Sequence, residues 1–542
     1  MKKIDIGVVV TTLIIVTISC SLAFFAARVV GNPKDINLVA KNVAITFTDT
    51  SSIASNETIS PGWNNVKTFT ITNNSKEDFS YNIILKGLVN TFESINTLQY
   101  KITSDTGYNM DNYLNVIKTE TSKDVVLAYN ITIPKNTIQS YQVEFNYIST
   151  EEDQSGDMGK KLGGTLAIET SSGTPEIYDK LLADNQTIKT RTDFSNTYTE
   201  TNVNTLYKAT EDNTDVYYFA GNATNNWVKF GTWNENKSII VGKTSDKKEY
   251  SLFSSISECN TDSTYSTDCE KIILGTKGED MYWRIIRTNS DGSVRLLYAG
   301  TSPSSTNTYI GLSKYTENTS GYLYAGYMYG TSGSIENNRT NENSSTIKTY
   351  VDSWYKSNLT SYTKYLSKSA IYCSDRDLAN TNLYGGDNVY SDTYGFGFAA
   401  RDRLSTDFTP NYNCNNTKDS FSANNTEAKL TYPVALMTAD EIAFAGGKCH
   451  TETKSYFSQN SLDTNSTNYV RWWTMTPTHQ TKTIKVKVYD VISISTYGNN
   501  VLNDDNDSDY LYAVRPVISI KENAIYKSGD GSSSNPYEIV TE

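Results

Sequence analysis

Between residues 59 and 170 apolar and polar positions alternate. Leu127, Tyr129, Ile131 and Ile133 alternate with Ala128, Asn130 and Thr132, and Tyr141, Val143, Phe145 and Tyr147 with Gln142, Glu144 and Asn146. Tyr81, Ile83 and Leu85 repeat the pattern, and Phe69 and Ile71 sit in a run that ends in Asn73-Asn74. A period of two predicts strands with one buried face. Turn residues recur at Ser60-Pro61-Gly62, Asp105-Thr106-Gly107 and Pro134-Lys135-Asn136. Many short strands with frequent turns predict an all-β sandwich, jelly-roll or Ig-like, over residues 36–170.

After a linker at 171–176, which opens with the flexible Ser171-Ser172-Gly173, the pattern changes. Thr174-Pro175-Glu176 reads as a helix start, and Ile177, Leu181 and Leu182 give that helix an apolar side. Aromatic strands follow at 216–221, 227–233 and 282–287. The last continues through Thr288–Gly292 into SVRLLYAG, a predicted hairpin. Ile347, Tyr350, Val351, Trp354 and Tyr355 fall at helical spacing behind Ser344-Ser345. Thr438 and Glu441 form a capping box closed by Gly446-Gly447. Residues 301–345 and 374–430 read as long polar loops. Residues 177–542 are therefore expected to form an α+β domain with long loops.

One stretch is continuously apolar, Ile6 to Ala27. At about 1.5 Å per residue it spans roughly 33 Å, enough for a hydrocarbon core of about 30 Å. Residues 6–30 are read as a transmembrane signal-anchor in a lipid bilayer, with residues 1–5 as a cytoplasmic tip. Cleavage as a signal peptide is the competing reading, and Ala23–Ala27 fits a cleavage site poorly. The expected location is the cell membrane, single-pass, with the bulk extracellular, or secreted if the segment is cleaved.

Composition narrows the function. With 48 Lys+Arg against 60 Asp+Glu, the formal charge of −12 argues against a nucleic-acid partner. Only two histidines, His450 and His479, are present, and neither lies in a recognisable catalytic motif; both are expected on the surface or in loops. Cys20 lies in the apolar stretch. Cys259 and Cys269 bracket a polar loop, and Cys373 and Cys414 a Tyr/Asn-rich one, so these are the candidate disulfides. Cys449 is then left unpaired or competes for Cys414. It reads as a buried small hydrophobe, with a reactive thiol or intermolecular bridge as the alternative.

Two resemblances add to this. The run ISPGWNNVKTFTITNNSKEDFSYNI at 59–83 resembles camelysin-like and biofilm-matrix fibre proteins of low-GC Gram-positive bacteria, which implies a jelly-roll-like sandwich. Some of those proteins carry a metallopeptidase label, but residues 36–170 contain no His and no H-E-x-x-H. Farther on, LMTADEIAFAGG at 436–447, Trp472-Trp473 with Pro477, and Val514-Arg515-Pro516 with Ile520 resemble a domain of unknown function in Firmicutes surface proteins. That domain is similar to the C-type-lectin-like and formylglycine-generating-enzyme folds. The second group works through a pair of cysteines; Cys449 has no evident partner for this, so the likeness implies fold and no activity.

Trp472 and Trp473 are expected to plug the core beside the Val514–Ile520 strand rather than stack on a sugar. Arg515 is expected to orient a loop by hydrogen bonds. The acidic run at 503–509, with Asp504, Asp505, Asp507 and Asp509, carries the hard oxygen ligands calcium prefers. It departs from the EF-hand pattern, and a solvated hairpin tip competes with a calcium loop. The sequence thus predicts a membrane-anchored adhesin that binds an extracellular glycan or protein ligand, without catalysis. A structural or fibre-forming surface protein, self-associating through its sandwich, is the alternative.

Overall fold

The alternating runs of the first segment become long antiparallel strands. The structure is a computed structural model. It describes residues 28–30, 36–38, 43–47, 53, 59–94, 97–110, 113–151, 153–170, 175–245, 249–317, 324, 326–331, 334–380, 396–451, 453, 455–458, 469–480, 486–494 and 499–541. The chain is mostly β and divides into two compact units. One comprises Met1–Pro175 with Gln186–Ile188, the other Glu176–Asn185 with Lys189–Glu542.

The first unit is a sandwich. One sheet runs Ile36–Leu38, Val43–Phe47, Trp63–Asn73, Thr137–Tyr147, Leu98–Ser104, Leu114–Asn115; the other runs Arg28–Val30, Leu162–Thr170, Phe79–Asn90, Thr119–Ile133. Phe69, Ile71, Val143 and Phe145 of one sheet share a core with Tyr81, Ile83, Ile133 and Ile168 of the other. Each such burial contributes about 1.5–3 kcal/mol. Pro61 and Gly62 form the expected tight turn: Trp63 N donates to Ser60 O at 2.9 Å, with Gly62 at φ +92°. Asn73, fully buried at the end of its strand, donates to Glu77 O (2.9 Å) and Ile133 O (3.1 Å) and accepts from Ser75 N (3.0 Å). One amide thus ties the turn of one sheet to a strand of the other.

The period-two reading fails where Phe79–Asn90 pairs with Thr119–Ile133, whose register shifts at four places, and Tyr81 to Leu85 are buried without alternation. Tyr81 pairs with Ile131 but Ile83 with Ala128, so an extra residue is accommodated between Ala128 and Ile131. This bulge exchanges the faces. Leu127 and Ala128 are both buried, and Tyr129 is only half-buried.

The apolar stretch Ile6–Ala27 lies outside the described residues. Arg28–Val30, assigned to the anchor in sequence, pair as a strand with Ala167–Glu169. Among the described residues no helix is long and apolar enough to cross a membrane.

In the second unit the hairpin predicted around 282–298 is present. Asp280–Thr288 pairs antiparallel with Val294–Tyr298, which pairs in turn with Pro516–Ile520, and that strand with Val434–Leu436. A second sheet holds Tyr469–Gln480 between Val486–Ile494 and Phe396–Gly397, with Asn499–Asp507 beyond Val486–Ile494. Helix Ile177–Asp184 buries Ile177 and Leu181. Helix Thr346–Asn358 is capped by Ser345 and buries Ile347, Val351, Trp354 and Tyr355. Helix Ala439–Phe444 has the full capping box of Thr438 and Glu441. Gly446 follows at φ +114°, where a Cβ would strike Tyr198 O.

The stretches read as long polar loops send many of their described residues inside. Tyr309, Tyr315, Tyr327 and Phe421 are buried, as are Asn338 and Arg376. The reason is polar. Arg376 donates to Met328 O (2.9 Å), Lys418 O (3.1 Å) and Asn341 Oδ1 (3.0 Å), and Asn341 donates to Lys418 O (2.8 Å) and Glu427 O (2.9 Å). Side chains that look hydrophilic in sequence bond backbone carbonyls of neighbouring segments and go inside with them.

Candidate functional site

The hairpin register sets Arg287 directly opposite Arg295. Two like charges facing each other across a ladder are destabilising. Glu441 resolves this. Its Oε1 accepts from Arg287 Nε at 3.1 Å and from Arg295 Nη1, while its Oε2 accepts from Thr438 N at 3.0 Å. The same carboxylate therefore closes the capping box and neutralises the arginine pair. Glu211 takes the other side of Arg287 at 2.8 Å. Burial alone would raise the Glu441 carboxyl, but Arg295 and Arg287 hold it below the usual carboxylate range. Tyr412 lies under Arg287 at 4.2 Å and Tyr372 under Arg295 at 4.5 Å.

Helix Ala399–Ser405 adds Arg403, which grips Asp440 with two bonds of 2.7 and 2.9 Å and reaches Asp375 at 3.0 Å. These groups, with Asn411, Asn413, Thr438, Thr476 and Cys373, line a polar pit of about 20 Å³. The pit has room for one water or one protruding group of a larger ligand, not for a whole ring. Two buried atoms among its lining residues, Tyr412 Oη and Arg295 Nε, have no hydrogen-bond partner.

Beside the pit, the carboxylates of Asp375, Asp377 and Asp419 lie within 4.8 Å of one another. They are the residues that could hold a metal, yet each already carries a guanidinium. Arg376 binds Asp419 at 2.6 Å, Arg339 binds Asp419 at 3.1 Å and Asp377 at 2.5 Å, and Arg403 binds Asp375. The Asp375 carboxyl is raised, first by burial and then, against the pull of Arg403, by Asp419 and Asp377. The donor set is that of an ion-pair network more than of a cation cage.

No protein-family profile matches the chain, and no curated protein matches it. Among solved structures it is similar to a ruminal GH26 endo-β-1,4-mannanase, at 13% identity and a TM-score of 0.15. The match covers 32% of this chain and spans 36% of that one. A similarity that low carries no argument about fold or activity.

The sequence-predicted residues fall as follows. Trp472 and Trp473 are buried; Trp473 Nε1 donates to Ser313 O at 2.9 Å, and its ring packs on Tyr315 and Tyr512. Pro477 sits at a register shift in its strand, and Pro516 is the first residue of Pro516–Ile520. Both are places where a missing N–H is tolerated. Arg515 donates twice to Tyr298 O (3.0 and 3.2 Å) and to Phe457 O at 2.9 Å. Cys259–Cys269 and Cys373–Cys414 are disulfides, and Cys449 is a buried free thiol. His450 is exposed, but His479 is buried, because its strand is paired on both sides; its Nδ1 lies 2.9 Å from Thr478 Oγ1.

The acidic run is not a loop. Asp504, Asp505 and Asp507 belong to strand Asn499–Asp507, and their side chains lie outside the described residues; Asp509 follows in a turn after buried Ser508. Asp509, the one of the four whose side chain is described, does not line the pit. Arg287, Arg295, Arg403 and Tyr412 were missed in sequence. The available signal was an arginine in each apolar strand, Arg287 at the end of YWRIIR and Arg295 inside SVRLLYAG, since a cation there must find a buried partner.

Proposed function

We propose that the chain is an extracytoplasmic, surface-anchored binding protein, an adhesin without catalysis. In this reading a β-sandwich carries an α+β, C-type-lectin-like head that recognises a glycan. The observation that carries it is the pit: a preformed, charge-balanced depression, with Tyr412 Oη and Arg295 Nε buried and unbonded among its lining residues. Such a site can take a single hydroxyl or carboxylate of a larger polyhydroxylated ligand, with Asn411, Asn413 and Asp375 at hand. The fixed guanidinium and carboxylate planes supply directional bonds without the cost of ordering on binding. Two disulfides support an oxidising compartment outside the cytoplasm.

The test is binding of the purified full chain to a panel of cell-wall and host glycans, with calcium and with chelator. The expected result is one or more hits that Tyr412→Phe weakens by about tenfold, the worth of one lost hydrogen bond. Chelator indifference is expected of a site built from guanidiniums. Hits untouched by both Tyr412→Phe and Asn411→Ala would overturn the assignment of the pit. An empty panel would overturn the glycan reading.

A further inference from the structure

The second unit buries arginines of two kinds. Arg287, Arg295, Arg339 and Arg376 each bind a carboxylate. Arg284 and Arg515, 1% and 3% exposed, bind none among the described residues. Arg284 donates to Asn226 Oδ1 (2.7 Å) and Ala223 O (2.6 Å) and lies 4.2 Å from the ring of Trp227 and 5.4 Å from that of Tyr456. Arg515 bonds only carbonyl oxygens and lies 5.0 Å from the ring of Trp472.

Burial pulls both guanidiniums down to about 9, and the charge of Arg515 adds to this at Arg284; both stay charged at neutral pH. Tyr456 feels both charges. The acid whose charge also reaches Tyr456, Glu441, is already shared by Arg287 and Arg295. Carbonyl dipoles and ring faces soften two buried positive charges but do not cancel them.

The unmet hydrogen bonds point the same way. Tyr456 Oη and Trp472 Nε1, on residues 1% and 2% exposed, have no partner. An indole N–H can only donate, and a phenol beside two cations donates best. What is missing is therefore an acceptor, and the charge left over is positive. A water would satisfy the donors and leave the charge.

We infer that Arg284, Arg515, Tyr456 and Trp472 form a buried site for a small inorganic anion of the halide class, bound as part of the folded head. The near-complete burial of all four side chains restricts the occupant to a few atoms. The site is separate from the pit and does not depend on the glycan reading.

The experiment uses the full chain and bromide. Crystals grown in bromide should show an anomalous peak within about 4 Å of the Arg284 or Arg515 side chain, the reach of a long hydrogen bond to a large ion. In solution, bromide should raise the unfolding midpoint above that in equal sodium gluconate, with saturation. Tyr456→Phe should weaken the apparent bromide affinity by about tenfold while the midpoint in gluconate stays near that of the unaltered chain. Water density with no anomalous peak in unaltered crystals, or equal midpoints in bromide and gluconate, overturns the inference.

Discussion

Glu441→Gln keeps the length of the side chain and removes its charge. Arg287 would retain Glu211 at 2.8 Å, but Arg295 would lose its only salt bridge among the described residues, keeping a backbone carbonyl, Ile371 O, and the face of Tyr372. Residues 295 and 441 are each 1% exposed, so at most the single water that the pit admits could stand in. Removing one partner of a buried pair costs about 3–5 kcal/mol, because the other charge stays behind. The mutation also disturbs the capping box, and a lost cap is worth about 1 kcal/mol. Thr438→Ala removes the cap hydroxyl and keeps the carboxylate, so it serves as the reference. Denaturant unfolding of the second unit within the full chain should show Glu441→Gln costing at least about 2 kcal/mol more than Thr438→Ala, at unchanged slope. Equal costs for the two variants would show that Glu441 matters only as a cap, and the charge argument would fail.

The two disulfides should differ in worth. They close loops with sequence separations of 10 and 41 residues, so chain entropy gives roughly 2.7 and roughly 3.9 kcal/mol, and the Cys373→Ser/Cys414→Ser pair should lower unfolding free energy by about 1 kcal/mol more than Cys259→Ser/Cys269→Ser. Burial would raise the Glu211 carboxyl, but Arg287 holds it at about 2 against an ordinary 4.5. A depressed carboxyl stabilises the fold above its unfolded value, and that stability is lost as pH falls towards 2. The stability gap between the unaltered chain and Glu211→Gln, read from urea midpoints, should therefore be full at pH 6 and close between about 4.5 and 2. Trp473→Ala should cost about 3–5 kcal/mol in the same unfolding assay, since the ring is fully buried; a cost below 1 kcal/mol would place the ring outside the core.

Legibility in the sequence followed the range of the interactions. Period two marked the sandwich strands because each face meets one environment, and Thr438 with Glu441 marked a helix because a capping box is made within four residues. The bulge at Tyr129 was invisible, since it depends on how Thr119–Ile133 registers against Phe79–Asn90. The Tyr/Asn-rich stretches showed no apolar period and read as long polar loops, because what packs them is long-range: Arg376 and Asn341 are bonded to carbonyls from distant segments. The pit fell in the same gap. Its arginines come from a hairpin, Arg287 and Arg295, and from a short helix, Arg403, and only tertiary pairing shows that Glu441 is the acid the hairpin pair shares.

The acidic run shows how placement changes the meaning of composition. As a loop, Asn503–Asp509 offers oxygen ligands. As part of Asn499–Asp507 it lies at the end of a sheet, paired with Val486–Ile494 on one side and meeting only an isolated bridge from Cys449 to Leu502 on the other, among the described residues. An edge strand exposes unpaired backbone groups and invites a second chain to add to the sheet. Charged residues on an edge oppose that, because a pairing strand would have to bring its neighbours against them or desolvate them. Three aspartates in nine residues make this edge a poor template. Replacing Asp504, Asp505 and Asp507 together by threonine, a residue of high strand propensity, keeps the strand and removes the charge. The expected outcome is a concentration-dependent rise in sedimentation coefficient relative to the unaltered chain, insensitive to chelator. An unchanged sedimentation profile would remove the edge argument, and stabilisation of the unaltered chain by calcium that the triple variant lacks would restore the run as a ligand site.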